Sequence, residues 1–139
     1  MKVPSDGGYD RIARPYRWLE WIAFGRSLQN SRTCLLSELP QVKQILVMGD
    51  GDGRLLEQIC RSQPAAKITS VDQSPAMIRL QESRVANAGA NDRVHWVRAD
   101  GRTFSPTPNE YDLLVTAFFL DCFTEIELGK HLPRWLGGV

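Results

Sequence analysis

The chain has 139 residues, the size of one ordinary domain, and a formal charge of +1 from 17 Lys plus Arg against 16 Asp plus Glu. With 42% hydrophobic and 24% charged residues, it is neither disordered nor fibrous, and the balance of charge argues against a polyanion partner such as nucleic acid. The three cysteines, Cys34, Cys60 and Cys122, lie far apart without metal-ligand spacing, and no apolar run approaches the ~20 residues that span a bilayer. A soluble, cytoplasmic protein is expected, with no metal and no membrane partner.

Residues 9 to 39 carry a helical pattern. Tyr9, Ile12, Ala13, Tyr16, Leu19, Ile22 and Ala23 recur at three- and four-residue steps along one stripe. Pro15 starts or kinks that helix, and a second helix is expected from Ser27 to Leu39, with Pro40 as its stop. Arg11, Arg14 and Arg17 form either a solvated face or a contact surface for an anionic substrate. We assign residues 1–40 to an N-terminal helical cap and 41–139 to a second region.

In that region short apolar runs alternate with helical segments. Strands are predicted at Ile45–Met48, Ile68–Val71, Val94–Val97 and Leu113–Ala117. Helices are predicted at Arg54–Arg61 and Pro75–Ala88, the latter with Ser74 as cap, Pro75 in its first turn and Gly89 at its exit. A last helix begins at Thr124, where Thr124 and Glu127 make a capping box, and Pro133 is expected to interrupt it. The alternation implies a parallel sheet with right-handed crossovers.

The chemistry gathers where the first strand ends, in ILVMGDGDGRLL. Gly49, Gly51 and Gly53 allow a tight turn, a close backbone approach to a ligand and a helix seated against the strand. The dinucleotide fingerprint G-x-G-x-x-G fails at its last glycine, because that position is Arg54 counted from Gly49 and Leu56 counted from Gly51. Asp50 and Asp52 inside the loop would repel a pyrophosphate but could receive an ammonium or sulfonium group. Asp72 ends the second strand, where it could accept from both ribose hydroxyls. Asp100 ends the third, where it could accept from an adenine amino group while the adjoining backbone donates to the ring. Such acids at successive strand ends lie on the edge where open α/β sheets bind ligands.

The run from Gln44 to Phe123, with GDGDG, SVDQSPAMI, VRADG and YDLLVTAFFLDCF in order, resembles the nucleotide-binding half of class I S-adenosylmethionine-dependent methyltransferases. The segment YDRIARPYRWLEW is similar to the cap helix of their ubiquinone and menaquinone type, where an aromatic residue, here Tyr16, lies by the cofactor. The resemblance implies a Rossmann-like parallel sheet of order 3-2-1-4 flanked by helices, with S-adenosylmethionine as cofactor and a small molecule as methyl acceptor. It places Gly49, Gly51 and Gly53 under the methionine part, Asp72 on the ribose, and Gln73 and Met77 beside the adenine. Asp100 and Gly101 would read the adenine edge, with Ala117 and Phe118 as the floor. The acid usual two residues before the first glycine is Val47 here, and Asp50 is the candidate for its electrostatic role. Candidate bases are Asp121, Tyr16 and His95, each with a structural reading beside the catalytic one.

Complete members carry three further strands, whereas this sequence stops at LPRWLGGV. That leaves the fourth strand as an open edge, which invites pairing into a homodimer. The alternative to an enzyme is an incomplete or non-catalytic S-adenosylmethionine-binding module that completes its sheet by self-association.

Overall fold

The structure is a computed structural model that describes residues 36–117 and 119–139. The predicted cap helix with Tyr16, and Phe118 in the fourth strand's exit, lie outside the described residues. Of the predicted helix over 27–39 only 36–39 are described, and they form a turn. Pro40 disfavours helical geometry in the residue before it.

Strand β1 (Gln44–Met48) pairs in parallel with β2 (Lys67–Asp72) and β4 (Leu113–Val115), and β3 (Val94–Arg98) pairs in parallel with β2. The order is β3-β2-β1-β4, as the family resemblance implied, and among the described residues β3 and β4 are the edges. Helices α1 (Arg54–Ser62), α2 (Pro75–Asn87) and α3 (Glu125–Leu136) complete the described elements, with two short 3-10 turns.

Strand β1 is buried on both faces, and its alternation divides the core. Ile45 and Val47 pack with Leu55, Leu56 and Ile59 of α1 and Val85 of α2, whereas Leu46 and Met48 pack with Tyr111 and Trp135 of α3. Each such side chain contributes about 2 kcal/mol by leaving water. The chain must therefore turn out of the sheet immediately after Met48, and the three glycines do this with φ of +64°, +72° and +87°.

Two boundaries differ from expectation. Strand β4 ends at Val115 rather than Ala117, because the Phe119 amide donates to the Thr116 carbonyl at 3.0 Å and closes a turn. Helix α3 runs through Pro133 to Leu136. Trp135, fully buried beyond the proline, anchors that last turn more strongly than the ring disrupts it. The helix starts read from the sequence hold. Ser74 Oγ accepts from the Met77 amide at 3.3 Å, and the Thr124–Glu127 box is complete, with amide-to-side-chain bonds of 2.9 and 3.3 Å.

Candidate active site

A cleft opens at the carboxyl ends of β1, β2 and β3, the edge on which α/β sheets bind ligands. Gly49 and Gly51 supply one wall, Asp72, Gln73 and Met77 a second, and Asp100 with Gly101 a third. The sheet's own hydrogen bonding carries into the loops. The Gly49 amide donates to Val71 O at 2.9 Å and the Ala99 amide to Asp72 O at 3.1 Å, so the three segments are held in register at the cleft mouth.

Asp72 is fixed through both oxygens. Oδ1 accepts from the Ser74 amide at 2.9 Å and Oδ2 from Gln81 Nε2 at 3.2 Å. Burial pushes its carboxyl above the usual value of 3.8, opposed by these hydrogen bonds and by the Gly51 and Gln73 backbone. Asp100 caps its own turn: Oδ1 accepts from the Arg102 amide at 2.8 Å and its carbonyl from those of Thr103 and Phe104 at 3.0 and 2.9 Å. Helix α3 clamps the same turn from behind. Trp135 Nε1 donates to Gly101 O at 3.1 Å, and one Arg134 nitrogen donates to Gly101 O at 3.1 Å and Arg102 O at 2.7 Å.

The fourth wall includes Phe119, which the sequence leaves open between core and substrate wall, and residues that sequence reasoning assigned no role in the site. Phe119, Phe123, Cys122 and Arg102 all line the cleft. The Phe119 ring lies over Gly49 and Gly101, where a Cβ on either glycine would overlap it. Behind it Phe119, Phe123 and Trp135 form a cluster with centroids 4.9 to 5.6 Å apart. Arg102 stands 4.8 Å over the Phe123 ring and pairs with Glu127 at 2.8 Å. Desolvation, then the charge of Asp121, raises the Cys122 thiol's pKa, which disfavours the nucleophilic thiolate. The run AFFLDCF advertised these aromatics, but spacing alone could not say which ring turns into the cleft.

The two loop acids do not line the cleft. Asp50 is buried and its Oδ2 accepts from the Leu56 amide at 3.1 Å. Asp52 accepts from the Arg54 amide at 3.3 Å and pairs with Arg54 at 3.0 Å and Arg84 at 3.4 Å. Both serve the amino end of α1, where exposed N–H groups and the helix dipole favour negative charge. Gly53 is also set back, with α2 rather than the cleft beside it. Ala117 packs against the α1 side of the core, and the described floor is Phe119 instead. His95 is exposed within edge strand β3 and Asp121 is exposed in the 3-10 turn Leu120–Cys122; neither lines the cleft.

Among the described residues no group of His, Cys, Asp or Glu is placed to hold a metal, and no helix is long and apolar enough to cross a membrane.

Residues 45–136 match the family model described as a methyltransferase domain. The chain is 31% identical over 124 residues to the demethylmenaquinone methyltransferase of Porphyromonas gingivalis, covering 88% of this chain and 49% of that protein. It is 30% identical over 110 residues to the trans-aconitate 2-methyltransferase of Streptomyces avermitilis, covering 76% and 39%. Its fold is similar to that of phosphoethanolamine N-methyltransferase 1 of Haemonchus contortus, solved with phosphoethanolamine and S-adenosylhomocysteine. There the TM-score is 0.71 at 19% identity, over 93% of this chain and 28% of the other. The fold is that of a Rossmann-like α/β domain, with its cleft at the carboxyl ends of the strands. The chain belongs to the methyltransferase domain family, and it spans half or less of the length of these relatives.

Proposed function

We propose that this chain binds S-adenosylmethionine in the cleft and serves methyl transfer to a small-molecule acceptor. One observation carries the reading: Asp72, the Asp100–Gly101 turn and the glycine loop all open into one cleft. The donor set suits an adenosine. Asp72 lines the cleft with a carboxylate already oriented by Ser74 and Gln81, and ribose hydroxyls would donate to it there. Asp100 would accept from the adenine amino group and the Gly101 amide donate to the ring, with Met77 and Gln73 beside it. The described residues enclose about 150 Å³, about half the smallest usual ligand pocket of roughly 300 Å³, so they supply part of the site. The cap over residues 1–40, with Tyr16, and Phe118 are assigned to the remainder.

When bound, the sulfonium supplies an electrophilic methyl carbon and a neutral leaving group. The chain's part is to hold donor and acceptor in line, and such positioning can be worth about 7–11 kcal/mol. Acceptors of this class are small, as with the demethylmenaquinone, the trans-aconitate and the phosphoethanolamine in the relatives' names. The near-neutral charge supports the same class over nucleic acid. The reading includes a cytoplasmic setting and a homodimer formed through the outer edge of β4, which is unpaired among the described residues.

Calorimetric titration with S-adenosylmethionine, S-adenosylhomocysteine and NAD tests the ligand assignment. Binding of the first two is expected; tight binding of NAD alone overturns it. The mass in solution tests the dimer, which a stable monomer refutes.

A further inference from the structure

Gln81 is a polar side chain with no exposure at all, on the buried stripe of α2. Its amide nitrogen donates to Gly51 O at 2.9 Å and to Asp72 Oδ2 at 3.2 Å, and its oxygen accepts from Ser70 Oγ at 2.7 Å. The orientation of the amide follows from its partners. Turned over, its oxygen would face two acceptors, the Gly51 carbonyl and the Asp72 carboxylate, so only the nitrogen can stand between them. The Ser70 hydroxyl, buried on β2, holds the other end. One amide thus joins the glycine loop, the strand-end acid and the strand itself. The fit is close on the backbone side too: a Cβ at Gly53 would come within 2.7 Å of Gln81 Cα. A buried amide lacking these partners would cost about 1–3 kcal/mol, which makes the arrangement rigid once formed.

We infer that Gln81 is a positioning residue for the nucleoside, aiming the Asp72 carboxylate at the ribose hydroxyls and setting its distance from the glycine loop. The inference rests on the ligand reading above. Gln81 does not line the cleft, so its effect on a ligand must pass through Asp72 and Gly51. That route has a signature which general loss of structure does not share. Damage confined to the aim of Asp72 weakens only ligands that carry the hydroxyls.

The test is calorimetric titration of wild type, Gln81→Met and Ser70→Ala with S-adenosylhomocysteine and with its 2′,3′-dideoxy analogue. The quantity read is the dissociation constant of the dideoxy analogue divided by that of S-adenosylhomocysteine, which measures how strongly the hydroxyls are used. In Gln81→Met this ratio is expected to fall about ten-fold, through weaker binding of S-adenosylhomocysteine and unchanged binding of the dideoxy analogue. If Gln81→Met does not fold, Ser70→Ala decides the matter, because it keeps the amide but removes the hydroxyl that holds its oxygen; the ratio is expected to fall about three-fold. An unchanged ratio in the folded variants, or equal weakening of both ligands, overturns the positioning role. Absence of S-adenosylhomocysteine binding by wild type would instead overturn the ligand reading itself.

Discussion

Replacing Gly53 by alanine tests the joint between the glycine loop and α2. Gly53 has φ of +87°, where an L side chain costs about 1–2 kcal/mol, and its new Cβ would stand 2.7 Å from Gln81 Cα. That neighbour is helix backbone and cannot swing aside, so overpacking adds about 1–3 kcal/mol. A methyl group also restricts the unfolded chain, which returns about 0.4–1 kcal/mol. The net loss is about 3 kcal/mol, a fall in Tm on the order of 10 °C. Two other glycines separate the contributions. Gly51 has φ of +72° with nothing within 4 Å of its Cβ, so Gly51→Ala should lose about 1 kcal/mol or less. Gly129 lies inside α3 in open space, and Gly129→Ala should gain up to about 1 kcal/mol. Urea unfolding at a shared m-value gives all three. A Gly53→Ala loss no larger than that of Gly51→Ala would refute the steric reasoning.

Asp72→Asn should weaken S-adenosylhomocysteine about 10- to 100-fold in calorimetry, the worth of one charge-assisted hydrogen bond. Because burial raises the Asp72 pKa, wild-type affinity should fall as pH drops through that raised value, and the asparagine variant should lack the dependence. The same raised pKa means that stability falls as pH rises from 3.8 through the folded value, a slope the variant should also lose. Glu127 is held down to about 2, first by the Thr124 amide and then by Arg102. Its contribution to stability is full above the ordinary 4.5 and is lost as pH falls toward about 2, so the Tm deficit of Glu127→Gln at pH 7 should vanish there. Trp135→Phe keeps most of the ring but removes the donor to Gly101 O, and should cost about 1–2 kcal/mol in thermal unfolding.

The elements with strong local chemistry were legible in the sequence. The unbroken run ILVM reads as a doubly buried strand, and Ser74–Pro75 and Thr124–Glu127 place two helix starts to the residue. The glycine spacing and the acids Asp72 and Asp100 located the cleft, and the structure brings them together. What was not legible depends on contacts, near and distant, that residue spacing does not encode. Asp50 and Asp52 look like ligand groups in a linear reading, yet the helix that follows presents unsatisfied amides only a few residues away, and these take both carboxylates. Pro133 signals an end that the burial of Trp135 overrides. Phe119 closes the cleft through a turn that begins at Thr116, which strand periodicity does not reveal. Gln81 left one faint signal, a polar residue four positions from both Met77 and Val85 on the inward stripe of α2; its partners lie nine to thirty residues away in sequence.

A crystal structure with S-adenosylhomocysteine bound tests the central claim most directly. The ribose hydroxyls are expected on the Asp72 carboxylate and the adenine edge on Asp100 and the Gly101 amide, with Gly49 and Gly51 under the homocysteine. A ligand seated elsewhere, or a ribose with no contact to Asp72, would contradict it.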